Sequence, residues 1–242
     1  MKIKSNFDSS LLLCNGIVKI WSGDHALFEM RLPILRDKYE EKDFDSFVGF
    51  CASPLEVINK QLQTSFKSRM DLWLFYKNNG DTKFIKTLLK FFAKYMINFE
   101  YVDDCLMWNK RKIPRQVFEL FCTYFAIAWG VKDLKELNYI ITDDMDEFDK
   151  QRILMEQKIA KTKQQGTREG AQGPGFDRIL LGVSREFHYS FQEIYNMTIY
   201  AIYLMYSQLN AIMVYDINNI AAGNGNLKKN TKYTHWVDRK DR

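Results

Sequence analysis

The stretch "PRQVFELFCTYFAIAWG", residues 114–130, decides the fold of the first half of this 242-residue chain. Pro114 is tolerated at the first position of a helix, and Gly130 stands where helices often end. Between these two residues, apolar side chains occupy almost every side of the predicted helix. Such a helix must be surrounded by other elements. We therefore expect it to form the centre of an amino-terminal core.

Two further helices are predicted ahead of this stretch. In "DSFVGFCASPLEVINKQL", residues 45–62, the apolar spacing is helical and Pro54 marks a first turn or a break. In residues 81–96, Asp81 or Thr82 caps a predicted helix. This helix has a solvent-exposed lysine face and a buried apolar face. The lysines are Lys83, Lys86, Lys90 and Lys94.

Two stretches carry β signals. In "LLLCNGIVKIW", residues 11–21, Asn15 and Gly16 tolerate the positive φ of a type I′ turn, which predicts a hairpin. "FEYVDDCLMWNKRKIP", residues 99–114, predicts a short strand, a polar turn and a second short strand. The predicted fold class is mainly α with a small β component, divided into an α+β amino-terminal domain and a helical carboxyl-terminal domain.

"KTKQQGTREGAQGPGF", residues 161–176, interrupts this apolar chain. Four of the twelve glycines lie within ten positions, and before its last residue the stretch holds no large aliphatic or aromatic side chain. Helical spacing of apolar residues then resumes. We predict an amino-terminal domain at 1–160, a Gly-rich linker at 161–175 and a helical carboxyl-terminal extension with a basic tail at 176–242.

The extension is predicted to contain a capped helix and a long uncharged helix. In "SFQE", Ser190 and Glu193 form a capping box. A long helix is expected from Thr198 to about Ile220. "IYNMTIYAIYLMYSQLNAIMVY", residues 194–215, carries no charge and is long enough for a bilayer. Its polar residues and its mid-span tyrosines oppose a membrane span, so no membrane partner is expected.

The uncharged helix supplies a candidate partner-binding surface. The residues after the linker are too few to surround it, because small domains hide a smaller fraction of their surface. One stripe of the helix is therefore a candidate docking face, although a cover formed by the amino-terminal part fits the sequence equally well. The stripe consists of Ile199, Ile202, Tyr203, Tyr206, Leu209 and Met213.

The tail "KKNTKYTHWVDRKDR", residues 228–242, interleaves basic side chains with aromatic ones. Tyr233 and Trp236 join the candidate partner-binding residues. Basic groups neutralise phosphates and aromatic rings stack on bases, so single-stranded nucleic acid is a conceivable ligand. A solvated tail with Trp236 packed against the preceding helix explains the same residues, and nucleic acid is not the expected partner.

The sequence contains no motif for catalysis, a cofactor or a metal. His25, His188 and His235 lie far apart and outside any metal-binding or nucleophile motif. The four cysteines lack disulfide-framework and zinc spacing, and we expect buried thiols in a reducing compartment. The amino terminus has no signal-peptide core. These features predict a non-enzymatic protein without cofactor or metal, which works in a cytoplasm.

Two parts of the chain resemble the tail assembly chaperones of long-tailed bacteriophages, in the long form with a carboxyl-terminal extension. "MTIYAIYLMYSQLNAIMVYDINNIAAGNGN", residues 197–226, and "KYTHWV" at 232–237 are similar to that family's helix, glycine turn and late tryptophan. "FEYVDDCLMWNKRKIPRQVFELF", residues 99–121, is similar to its strand, short turn and helix. Many such extensions carry more charge in the helix, and in this respect the present chain departs from the family.

The resemblance implies a non-enzymatic chaperone of tail assembly in the host cytoplasm. In that family a ribosomal frameshift adds the extension, the extension recruits the tape measure protein, and the amino-terminal part meets tail tube subunits. Residues 161–175 would then be the seam between the short and long products. The alternatives are a virion structural protein of the neck, tail or baseplate, and a nucleic-acid-binding accessory protein.

The Gly-rich linker predicts a protease-sensitive site. Brief digestion with trypsin should cut after Arg168 and release a fragment that starts at Glu169, because the linker offers no side chains to pack. Mass spectrometry of the fragments measures the position of the cut. A resistant linker together with cuts between residues 85 and 130 would contradict the two-domain organisation.

Overall fold

The computed structural model describes most of the chain. The described residues are 3–5, 16–22, 25–131, 147, 150–151, 153–155 and 176–224. Within them the protein is mainly helical with two small antiparallel sheets, which confirms the predicted fold class. The predicted linker, Asn15 of the predicted hairpin turn and the tail after residue 224 lie outside the described residues.

The first sheet has three antiparallel strands with the second in the centre. The strands are β1 (Ile3–Ser5), β2 (Ile17–Ser22) and β3 (His25–Arg31). β2 is the strand that the sequence predicts after Gly16. Its described partners are β1 on one side and β3 on the other, with a shift of register between Ile20 and Trp21.

Helices make up the rest of the first half, together with a second small sheet. The elements in chain order are α1 (Leu35–Glu40), α2 (Phe44–Ala52), α3 (Leu55–Leu62), α4 (Arg69–Asn78), α5 (Thr82–Tyr95), β4 (Phe99–Val102), β5 (Cys105–Trp108), β6 (Arg111–Lys112) and α6 (Arg115–Ala128). The helices after the predicted linker are α7 (Phe176–Phe187), α8 (Phe191–Tyr195) and α9 (Ile199–Gly223).

The second sheet has one strand more than the sequence predicts. β5 pairs antiparallel with both β4 and β6. Positive φ angles at Asp103 and Asp104 (47° and 63°) and at Asn109 and Lys110 (47° and 60°) form the two tight turns. Type I′ turns require positive φ at both central residues. The third strand escapes prediction because β6 is only two residues long and both of its residues are exposed.

The chain forms two compact units. The first consists of Met1–Gln172 together with Tyr195–Tyr200, and the second of Gly173–Ile194 together with Ala201–Arg242. The short segment Tyr195–Tyr200 thus belongs to the first unit, although the residues on both sides of it belong to the second.

Helix α6 is the centre of the first unit, as its sequence predicts. Its side chains are mostly buried, and they pack against strand β3 and helices α2, α4 and α5. The closest ring pairs to these elements include Phe121 with Phe28 of β3 at 5.7 Å, Phe125 with Phe47 of α2 at 4.8 Å and Phe118 with Phe92 of α5 at 5.0 Å. The helix begins at Arg115, with Pro114 as its N-cap residue rather than its first helical residue.

Helix α5 has the predicted cap and the predicted apolar face. The Asp81 carboxylate accepts a hydrogen bond from the Phe84 amide (3.0 Å), which satisfies a donor that the helix leaves free. Lys83 and Lys86 are exposed as expected. Lys94 is not: it is half-buried, because two carboxylates draw its ammonium group towards the neighbouring helix α1.

An ion-pair network connects α5 to α1 and the residue that follows it. Lys94 Nζ lies 2.7 Å from Asp37 Oδ1 and 2.6 Å from Glu41 Oε1. Lys90 Nζ lies 2.5 Å from Glu41 Oε2. Hydrogen bonds from Lys90 and Lys94 lower the pKa of the Glu41 carboxyl. Burial acts to lower the pKa of Lys94, but the hydrogen bonds to Asp37 and Glu41 outweigh burial and raise it.

A buried arginine joins α2, α4 and α6. Arg69 is the first residue of α4, and its guanidinium donates hydrogen bonds to the carbonyl oxygens of Phe50 (2.7 Å) and Ser53. The backbone amides of Arg69 and Met70 donate to the Glu119 carboxylate of α6. Burial raises the pKa of Glu119. These hydrogen bonds pair the carbonyl oxygens at the carboxyl end of α2 and the amides at the amino end of α4, which have no partner within their own helices.

The ion-pair network predicts the effect of Lys94→Met. The substitution leaves buried Asp37 without its cation, so we expect the free energy of unfolding to fall by about 2 kcal/mol at neutral pH. The lowered pKa of Glu41 stabilises the fold above pH 4.5, and this stabilisation is lost as the pH falls through the folded-state pKa. Urea unfolding measured from neutral pH to below pH 4.5 should therefore show that the free energies of unfolding of the original protein and of Lys94→Met converge in acid.

Lys83→Met is the matched control, because Lys83 lies exposed on the same helix. We expect this control to change stability by less than about 0.5 kcal/mol at any pH. An equal loss in both variants would show that α5 depends on its total charge rather than on the network.

Candidate partner-binding surface

The capping box predicted before α9 is present at the start of α8. The Glu193 carboxylate accepts a hydrogen bond from the Ser190 amide (2.8 Å), and the Ser190 hydroxyl accepts one from the Glu193 amide (3.3 Å). The hydrogen bonds from Ser190 lower the pKa of Glu193. This reciprocal cap fixes the point at which the chain turns after α7.

The chain then makes contacts within the first unit before α9 begins. The Leu35 amide donates a hydrogen bond to the Met197 carbonyl (2.9 Å), and Ile34 forms an antiparallel β-bridge with Thr198. The rings of Tyr39 and Tyr195 lie 5.6 Å apart. The residues that lead into α9 are therefore held by backbone hydrogen bonds.

In the second unit, α7 packs along α9. The ring centroids of Phe176 and Tyr203 lie 5.8 Å apart, and a Cβ atom at Gly182 would lie 3.9 Å from Leu209 Cδ2. In both pairs the α9 residue follows the α7 residue by the same number of positions along the chain. The contacts therefore advance in the same direction along both helices, and the two helices run parallel. At this alignment the last residue of α7, Phe187, lies level with Val214.

From about this level onward, α9 exposes an apolar strip. We define the apolar strip as Met213, Val214, Ile217 and Ile220, which share one face because they are spaced by one, three and four residues. They are 52%, 39%, 61% and 65% exposed, in that order. Large apolar side chains at this exposure along one helix face form a candidate interaction surface.

The predicted partner-binding residues fall into three groups in the structure. Ile199 and Ile202 are buried, at 3% and 0% exposure. Tyr206 and Leu209 are half-buried, and Tyr203 and Met213 are exposed. Tyr233 and Trp236 lie outside the described residues. The predicted stripe is thus continuous along α9, but its exposed end is the carboxyl-terminal one.

Three residues of the apolar strip were missed by the sequence analysis. Val214, Ile217 and Ile220 continue the helical spacing of the predicted stripe towards the end of α9. The predicted stripe stops at Met213 because Asp216 interrupts the uncharged run. The spacing of Ile217 and Ile220 from Met213, at four and seven residues, was the signal that could have found them.

An open cavity in the first unit was also not predicted. It is lined by Thr64, Ser65, Phe66, Lys67, Asp71 and Arg115. Arg115 Nη2 lies 2.7 Å from Asp71 Oδ1, and the Lys67 amide donates a hydrogen bond to Asp71 Oδ2 (3.1 Å). The carboxylate of Asp71 therefore already compensates one of the two cationic side chains at this cavity.

The histidines, cysteines and carboxylates of the described part of the chain do not form a metal-binding cluster. No three His, Cys, Asp or Glu side chains among the described residues are close enough together to hold a metal ion. Cys51 and Cys122 are buried free thiols as predicted, and burial raises the pKa of Cys122. Cys105 is only half-buried, and Cys14 lies outside the described residues. The absence of cofactor and enzymatic activity stays a prediction.

The sequence argues against a membrane span in the long uncharged helix, and the helices of the structure test this prediction. None of the helices described, α9 included, combines the length and the apolar character needed to cross a bilayer. The polar side chains along α9, such as Gln208 and Asn210, account for this result.

The carboxyl-terminal part of the chain is similar to a known protein family. Residues 176–241 match the family model described as "YomV second domain", and the match begins at the first residue of α7. It points to a phage-related protein family. Nothing among curated proteins or among solved structures is significantly similar to the chain.

The close approach of α7 to α9 predicts opposite effects for two substitutions at Gly182. Gly182→Ala should raise the free energy of unfolding by about 0.5–1 kcal/mol, because glycine weakens a helix and the added Cβ meets Leu209 at an ordinary contact distance. Gly182→Leu should lower it by about 1–3 kcal/mol, because the larger side chain forces the helices apart. Thermal unfolding measures both changes. A stabilising effect of both substitutions would contradict the packing of α7 on α9.

Proposed function

We propose that this protein is a non-enzymatic tail assembly chaperone of a phage. On this proposal it holds the tape measure protein on the apolar strip of α9 and recruits tail tube subunits during tail assembly in the host cytoplasm. The observation that carries the proposal is the exposure of the apolar strip, and the match to a phage-related family supports the setting. The recruitment of tail tube subunits rests on the family resemblance alone.

The apolar strip suits a helical partner. A tape measure protein is expected to be a long, largely helical chain whose apolar stripes would aggregate before the tube closes around them. An amphipathic helix binds a complementary apolar face through side chains spaced by three and four residues. The apolar strip has this spacing, and its length of eight residues corresponds to about 12 Å of helix.

The small size of the apolar strip favours reversible binding. Stable protein complexes bury roughly 800 Å² on each partner, and two turns of a helix offer much less. A single contact of this kind is weak, so a chaperone using it can release its client when the tube assembles. Several copies along one long client would together keep its apolar stripes covered.

The proposal is tested by co-expressing the chain with the tape measure protein of the same phage and measuring co-purification. Met213→Asp combined with Ile217→Asp should reduce the co-purified tape measure protein by at least about tenfold, because each new charge loses its water on binding. Both side chains are exposed, so α9 should remain folded. Ile202→Asp is unsuitable, because Ile202 is buried and its replacement would test folding.

The matched control places the same two charges on the opposite face of α9. Gln208→Asp combined with Asn219→Asp should leave co-purification unchanged, since both residues are exposed and lie away from the apolar strip. Undiminished binding by the strip variant, with helical content confirmed by circular dichroism, would refute the proposed site. Presence of the chain in purified particles would instead favour a virion structural protein, and a salt-dependent shift of labelled oligonucleotide would favour nucleic-acid binding.

A further inference from the structure

The apolar strip lies next to the part of the chain that follows the described residues. Helix α9 ends at Gly223, and the tail, residues 225–242, begins two residues later. We propose that this tail binds the apolar strip within the same molecule through Tyr233 and Trp236. The tail must then be displaced before another helix can bind. This proposal holds for any partner of the strip and does not depend on its being a tape measure protein.

Because the apolar strip is small, a segment of the same chain binds it more readily than a separate molecule does. Two turns of helix bury too little surface to hold a second copy of the chain, which needs roughly 800 Å² on each side. A segment of the same chain has an effective concentration in the millimolar range. It therefore occupies a small apolar surface more readily than a separate partner does, and such a partner must compete with it.

The tail is long enough to reach every residue of the strip. Met213 lies about 15 Å from the end of α9 along the helix axis, at a rise of 1.5 Å per residue. Eighteen extended residues span about 60 Å. Tyr233 and Trp236 lie near the middle of the tail, so the connecting residues suffice for a return along α9.

Charge and family comparison support the same pairing. Asp216 is the single charged side chain in α9, it is exposed, and it lies between Met213 and Ile217 along the helix. The residues from 227 onward contain six basic and two acidic side chains, so the tail is attracted to this carboxylate. The family model covers residues 176–241, which places the tail in the same family domain as α7 and α9.

The experiment measures the alkylation rate of one introduced thiol in the full-length protein. Ile217→Cys puts the thiol on the apolar strip, and Asn219→Cys puts it on the opposite, exposed face as the control. Iodoacetamide is the probe, mass spectrometry locates the adduct, and the unsubstituted chain gives the background from its native thiols. Each thiol is measured with the native tail and with Tyr233→Ser combined with Trp236→Ser.

With the native tail, the Ile217→Cys thiol should react about tenfold more slowly than the Asn219→Cys thiol, because a cover that opens about a tenth of the time limits the rate. The two tail substitutions should remove this difference and leave the Asn219→Cys rate unchanged. Equal rates with the native tail would overturn the proposal. So would a slow Ile217→Cys rate that the tail substitutions do not restore, or protection that increases with protein concentration, since a second copy would then be the cover.

Discussion

The burial of α6 is the constraint on which the first unit depends. A helix with large apolar side chains on nearly every side has no face to give to water, so elements must approach it from all directions. Strand β3 and helices α2 and α5 do so through aromatic rings, and α4 is attached through the Arg69 and Glu119 contacts. The order of these elements in sequence matters less than this shared requirement.

Helix α9 has a similarly uncharged sequence and a different outcome. Among the described residues of the second unit, the short helix α7 lies along it, and this cover runs out where α7 ends. An apolar composition thus predicts that a helix surface must be covered, but it does not predict which element covers it. In α6 the cover is internal, and in the last turns of α9 the described part of the chain leaves the apolar side chains exposed.

Local interactions were predictable from the sequence, and distant ones were not. The Asp81 cap and the box formed by Ser190 and Glu193 depend on residues three apart, so their spacing alone predicts them. The placement of Lys94 depends on Asp37, more than fifty residues away. For the candidate surface, the sequence predicted the stripe on α9 but not which end of it is exposed, because the lengths and alignment of α7 and α9 decide that.

The return of Tyr195–Tyr200 to the first unit bears on the order in which the protein is made. A ribosome delivers residues from the amino terminus onward, so the edge at Ile34 and Leu35 waits for Met197 and Thr198 before its backbone hydrogen bond and bridge can form. A nascent chain that has emerged only as far as the Gly-rich linker would present that edge unpaired. The first unit is completed only after the first segment of the second unit, Gly173–Ile194, has been translated.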